Sequence, residues 1–221
     1  MKHLTSYIIF IIIFFIRCAP SHFVKPLEKK QHAASVSIGG PLIKYSGITI
    51  PIPFFVLGYG YGIDSSLTGF SNLNITSALF GNFQLDIGVT KRLLKQKKYL
   101  PAISVSPVFN VIYRNTEAKK IYPQLDLNFY WEYNQKKSFF YTGLSNWFEL
   151  SKKRAFGENQ KNHWILMPQI GHSFNYPKWL FTIEAKIIAP NISNQKIVVE
   201  YATPFKKNGA VGIYVGCIRK F

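Results

Sequence analysis

The chain is short of cysteine, of acid and of long apolar runs. Only two of its 221 residues are cysteines, Cys18 and Cys217. With Cys18 in the leader region, Cys217 stands alone and no disulfide framework organises the fold. Ten Asp and Glu face 27 Lys and Arg, a formal charge of +17. The apolar run Tyr7 to Ile16 (YIIFIIIFFI) is ten residues long, against about 20 for a helix that crosses a bilayer. Motifs for chemistry are equally scarce. The glycines of Gly58-Tyr-Gly-Tyr-Gly62 are two apart and no Gly-Lys-Ser/Thr follows, which excludes a phosphate loop. That spacing puts them on one strand face, where they leave room for larger side chains opposite. His32, His163 and His172 show no ligand spacing, so no metal site and no cofactor are expected. In Gly171-His172-Ser173 the neighbouring side chains of a strand point to opposite faces, so His172 cannot serve Ser173 as a base. The chain is read as non-enzymatic.

What is present begins with an export leader. Lys2 and His3 precede the ten-residue apolar run, and the combination suits a signal peptide over residues 1–17. Cys18 follows at once, and cleavage before it resembles processing at the lipobox of bacterial lipoproteins, although Phe15-Ile16-Arg17 departs from that pattern. The resemblance implies lipid attachment at Cys18. Loss of Lys2 and Arg17 with the leader lowers the charge by two. Residues 18–31, polar and basic with Pro20 and Pro26, read as a short lipidated tether. The folded part is then 32–221.

Period-two alternation dominates that part, with no convincing 3.6-residue period. Ile103, Val105, Phe109, Val111 and Tyr113 oppose Ala102, Ser104, Ser106 and Asn110. Leu125, Leu127, Phe129, Trp131 and Tyr133 oppose Gln124, Asp126, Asn128 and Glu132. Phe83, Leu85 and Ile87 oppose Gln84 and Asp86, and Phe181, Ile183 and Ala185 oppose Thr182, Glu184 and Lys186. Further candidates are Ala33 to Gly39, Ile52 to Ile63, Leu67 to Leu79, Ser138 to Phe148, His163 to Asn175, Lys196 to Phe205 and the last strand. About eleven segments of transmembrane-strand length result, ~9–11 residues each. A bacterial barrel takes an even number. A turn at Gly39-Gly40-Pro41 that splits the first segment would give twelve; about ten is expected, with Leu67 to Thr90 holding one spanning strand. Pro107, Pro123, Pro168 and Pro204 conflict with paired strands unless they sit at bulges or outside the membrane zone.

The end of the chain points the same way. Val211, Ile213, Val215 and Cys217 share one strand face, Gly212 and Gly216 the other, and Phe221 closes the chain. This resembles the terminal strand of Gram-negative outer-membrane β-barrels, where the last aromatic residue is the assembly signal. The 19 Phe, 13 Tyr and 4 Trp, placed within and near the ends of strands, resemble the aromatic girdles of such barrels. The resemblance implies an all-β, closed antiparallel up-and-down barrel in the cell outer membrane, inserted by the barrel-assembly machinery. It carries over no catalytic residue. Asp86, Asp126, Glu132, Glu184, Lys186 and Glu200 fall on the polar faces of strands and are expected to pair as an interior charge network.

The basic residues cluster between the apolar segments: Lys91-Arg92 with Lys95, Lys97 and Lys98; Lys119-Lys120; Lys136-Lys137; Lys152-Lys153-Arg154; Lys206-Lys207. As solvated loops they need no partner. As a functional surface they suit anionic lipid or lipopolysaccharide head groups rather than nucleic acid. The functions left open are an envelope surface protein binding lipid, glycan or a protein partner through basic loops, a narrow channel, and a lipid-modifying barrel enzyme.

Overall fold

A computed structural model describes residues 23–114, 117–135, 137–153, 159–194, 199–205 and 207–221. The signal peptide and Cys18 lie outside the described residues. The chain forms β1 (His32–Tyr45), β2 (Ile48–Pro51), β3 (Phe54–Asp64), β4 (Leu67–Asn74), helix α1 (Ile75–Leu79), β5 (Asn82–Leu94), β6 (Ala102–Arg114), β7 (Glu117–Tyr133), β8 (Ser138–Phe148), β9 (Trp164–Asn175), β10 (Trp179–Ser193) and β11 (Asn208–Lys220). Each strand pairs antiparallel with its neighbour, and β11 returns to β1, from Ala33↔Lys220 to Pro41↔Gly212. The result is a closed barrel of ten strands. β2 stands apart, folded back on the end of β1 as a hairpin. Among the described residues no helix is long and apolar enough to cross a membrane; the crossing is made by strands.

Closure continues to the last residue, where the Phe221 amide donates to the His32 carbonyl at 2.9 Å. Arg219 lies over both the Trp179 and Phe221 rings, 5.5 and 5.2 Å from their centroids.

The count of ten agrees with the sequence reading, by another route. Leu67–Asn74 and Asn82–Leu94 are both spanning strands, separated by α1, whose first turn is capped by Asn74 accepting from the Ser77 amide at 2.9 Å. The segment that falls away is Lys196 to Phe205. Its described part, 199–205, is a loop that touches β1 through one bridge, Ile43↔Tyr201. The alternation in that stretch reflects a loop pinned to the barrel rim.

The prolines fall where a ladder is interrupted. Pro107 sits in a gap of the β5–β6 register between Gly88↔Val108 and Lys91↔Val105, where Thr90 Oγ1 and Ser106 Oγ bond each other at 2.8 Å. Pro123 precedes the first β7–β8 pair, and Pro168 lies one residue past the last β9–β10 pair. Pro204 is in a loop. None removes an internal ladder bond on both sides.

The barrel is inside out relative to a soluble one. Asp86 is 2% exposed and its neighbour Ile87 50%. Asp126, Glu184, Lys186, Asn110 and Ser104 are buried, whereas Leu57, Phe109, Ile170, Ile183 and Val215 are exposed. An apolar exterior around a polar interior is stable only where the surroundings are lipid. Aromatic residues crowd the exterior near one end: Trp131 stacks on Phe140 at 4.8 Å, and His172 lies between Tyr133 and Phe174. Near the other end Phe83 pairs with Tyr113 and Phe148 with Trp164.

The two ends differ. Both described chain ends and the short connections 64–67, 95–101, 134–137 and 176–178 lie at one, called here the terminal end. The β1–β2 hairpin, α1, and the long connections after β8 and β10 lie at the other, the loop end. Outer-membrane barrels turn short connections to the periplasm and long ones outward.

A folded barrel of this kind keeps its structure in unboiled detergent. The protein is expected to migrate faster on a denaturing gel before boiling than after. One band at one position under both conditions would sink the closed barrel.

Candidate functional site: a filled lumen and two charged rims

Residues 23–31 are read from the sequence as tether; in the structure 23–27 are largely buried and 28–30 are exposed. Phe23, Val24 and Leu27 are 4–7% exposed and lie inside the terminal end of the barrel. Their seat is cut by the glycine series. A Cβ on Gly60 would come within 2.5 Å of the Phe23 ring, and one on Gly62 would strike the Glu28 carbonyl. The room left by these glycines is filled by the amino-terminal segment. Hydrogen bonds hold the segment in place: Ser104 Oγ donates to the Val24 carbonyl at 2.6 Å, and the Leu27 amide donates to Thr68 Oγ1 at 2.7 Å. The Lys30 amide donates to the Gly62 carbonyl at 2.7 Å, and the Gly62 amide to the Gln31 carbonyl at 2.9 Å. Lys25 pairs with Glu132 at the mouth.

The lumen is filled in three layers. Nearest the terminal end, Phe23 and Leu27 pack with Ala33, Phe70 and Val108, and Val24 packs with Ala102, Tyr130, Phe139 and Tyr141. The middle layer is polar. Asn110 Nδ2 donates to Gln124 Oε1 at 2.9 Å, Gln124 Nε2 donates to Asp126 Oδ1 at 2.7 Å, and Ser145 Oγ also donates to Asp126. Tyr141 donates to Glu184 at 2.7 Å, Lys186 lies 3.4 Å from Glu184, and Gln169 Nε2 donates to Asn128 at 2.7 Å. Towards the loop end, Ile112, Tyr122, Trp147, Met167 and Tyr214 form a second apolar layer. Phe54, Tyr201 and Ala210 lie above it with Ile43 and Ile52. The charged middle thus lies between two apolar layers. A cavity of about 70 Å³ remains between the amino-terminal segment and the wall formed by β1, β10 and β11.

Of the residues singled out from sequence, Asp86, Asp126, Glu184 and Lys186 stand together in the middle layer, and Glu132 stands at the terminal mouth. Glu200 does not join them. Its side chain is 69% exposed and pairs with Lys44 at 2.5 Å on the loop-end rim. The alternation of its segment suits a strand, but the residue sits in a loop. His172 and Ser173 face opposite ways: His172 bonds Tyr133 on the exterior, and Ser173 bonds Thr182 at 3.1 Å inside. Among the described residues no group of three or more His, Cys, Asp or Glu is placed to hold a metal ion. Sequence reasoning missed the amino-terminal segment. Its signal was present in Phe23, Val24 and Leu27, apolar residues that a solvated tether has no use for.

The rims carry the cations. At the terminal end stand Lys29, Lys30, Lys91, Arg92, Lys95, Lys97, Lys98, Lys137 and Lys178. The loop end carries Lys120, Lys152, Lys153, Lys161 and Lys207. The described flanks of the connection after β8 pair with each other, the Glu149 amide donating to the His163 carbonyl at 2.8 Å and the Gln160 amide to the Lys152 carbonyl at 2.9 Å.

No protein-family model matches the chain, and no curated protein sequence does. Solved structures resemble it at low identity. The chain resembles an outer membrane channel from Pseudomonas putida F1 (9% identity, 93% of this chain and 100% of that one, TM-score 0.49) and the NanC porin (8%, 86% and 100%, 0.47). It also resembles the translocator domain of the autotransporter NalP from Neisseria meningitidis (9%, 86% and 88%, 0.45). By its own geometry the protein is a transmembrane β-barrel of the outer-membrane class.

The seat of the segment is testable by a double-mutant cycle, with urea unfolding followed in lipid vesicles. Gly60→Leu is expected to cost about 1–3 kcal/mol by overpacking, and Phe23→Ala about 3–5 kcal/mol by opening a cavity. Combined, they should cost less than their sum by more than about 0.5 kcal/mol, because each change relieves the other. Strict additivity would remove Phe23 from this site.

Proposed function

We propose that the protein is a sealed, non-catalytic barrel that serves as an envelope surface protein. It is held by the barrel and by a lipid on Cys18, and its loop-end lysines bind an anionic partner, the phosphates of lipopolysaccharide head groups. The observation that carries this reading is the filled lumen. A conducting pore needs a continuous wet path, and here two apolar layers, with Phe23, Val24 and Leu27 among them, stand across it. The loop end supports the second part. Lys152, Lys153, Lys161 and Lys207 are exposed, and the phosphate groups of an outer leaflet are the anions such side chains meet. Each lysine near an anionic surface contributes about 1 kcal/mol, screened by salt.

In planar bilayers the full-length protein, shown to be folded by its gel shift, should give no stepwise conductance. Regular conductance steps would return it to the channels. Lipopolysaccharide binding in detergent should weaken as salt rises and fall severalfold in Lys152→Gln/Lys153→Gln. Binding indifferent to both would remove the loop-end partner. Metabolic labelling with a radioactive fatty acid should mark the wild type and not Cys18→Ser; equal labelling of the two would end the lipid assignment.

A further inference from the structure

The β5–β6 turn stands at the terminal end. Between Lys91 and Leu100 it carries five cations, Lys91, Arg92, Lys95, Lys97 and Lys98, and four large apolar side chains. Leu93, Leu94, Tyr99 and Leu100 are all more than half exposed, and Tyr99 is 93% exposed. Two of the cations are occupied: Lys91 by Ser66 Oγ at 2.8 Å with Asp64 at 3.7 Å, and Arg92 by the Ser65 carbonyl at 2.8 Å. Lys95, Lys97 and Lys98 have no acidic partner among the described residues.

The turn is nevertheless held in one shape. The Lys97 and Leu100 backbones exchange hydrogen bonds at 3.2 and 2.9 Å. Gln96 accepts from the Glu132 amide at 2.6 Å and donates to its carbonyl at 3.1 Å. Trp131 Nε1 donates to the Tyr99 carbonyl at 3.0 Å, which docks the turn against the stacked Trp131–Phe140 pair of the exterior aromatic band. Lys98 sits at φ +50°, a left-handed position that glycine or asparagine would occupy at lower cost. Full exposure of Tyr99 and Leu100 to water is unfavourable, and three unpaired ammonium groups beside them need anions. One environment supplies both apolar chains and anions at the level of an aromatic band, and that is a phospholipid head-group region.

We infer that Lys95, Lys97 and Lys98, with Tyr99 and Leu100, form a docking surface for anionic phospholipid in the membrane leaflet at the terminal end of the barrel. The apolar side chains enter the acyl boundary, and the ammonium groups take the head-group phosphates. The surface rests on the placement of the barrel in a membrane. It is independent of what the loop end binds, because the two rims are separated by the length of the strands.

The test is native mass spectrometry of the full-length protein released from micelles that hold equal amounts of phosphatidylglycerol and phosphatidylcholine. The wild type should retain the anionic lipid over the zwitterionic one by on the order of tenfold. Lys95→Gln/Lys97→Gln/Lys98→Gln should bring the ratio close to one, and Lys44→Gln at the other rim, where the ammonium is already engaged by Glu200, should leave it unchanged. The gel shift on boiling confirms that each variant is folded. Equal retention of the two lipids by the wild type would overturn the inference. So would a loss of preference in the loop-end variant as large as in the terminal-end one, which would mark a general response to net charge. Weak lipopolysaccharide binding beside an intact phosphatidylglycerol preference would defeat the loop-end reading alone.

Discussion

In hydrocarbon, a backbone N–H or C=O without a partner has nothing to bond, and each one left bare costs several kcal/mol. The pairing of β11 with β1 meets that requirement. It removes both sheet edges, and it extends to the final amide at Phe221. Everything else follows from closure. Once the sheet is a cylinder, its faces become an exterior in lipid and an interior of fixed width, and each strand must alternate accordingly. The two-residue period along β5, β6, β7 and β10 is the imprint of that single constraint.

Fixed width then dictates the lumen. Ten strands enclose more space than Ala102, Ser104, Ser106 and the glycines of β3 can fill. At the terminal end the chain supplies Phe23, Val24 and Leu27 from outside the strands, and at the loop end large residues such as Trp147, Met167 and Tyr214 take over. The charged groups are confined between these layers. Their hydrogen bonds to Gln124, Ser145 and Tyr141 hold them where burial alone would be costly. Removing one partner there would strand a buried charge, so the layer favours one arrangement of the strands over slipped registers.

The sequence discloses these features unequally, for physical reasons. Alternation records which residues share a face, so the common face of Asp86, Asp126, Glu184 and Lys186 is legible from parity; that this face turns inward rests on the export leader and the closing Phe221. Alternation does not record whether a segment is paired, and Lys196 to Phe205 therefore imitates a strand while Glu200 sits on the rim. Proline is ambiguous alone, because its cost depends on which neighbour is present. Pro123 and Pro168 are tolerated where a neighbouring ladder ends, and no local signal reports that. The amino-terminal segment is the largest omission. Its burial depends on the glycine face of β3, and a contact between Phe23 and Gly60 is a pairing of distant residues that composition cannot reveal.

The buried segment also orders events in time. Phe23 to Leu27 belong to the core but are made before any strand of the barrel, while the seam that encloses them is closed by β11, made after the other nine. Contacts of such long sequence separation form slowly. Until they form, the segment is open to any protease or modifying enzyme, and afterwards the cylinder shields it. Closure therefore acts as a deadline for maturation: whatever must be done to this stretch has to be finished before the last strand meets the first.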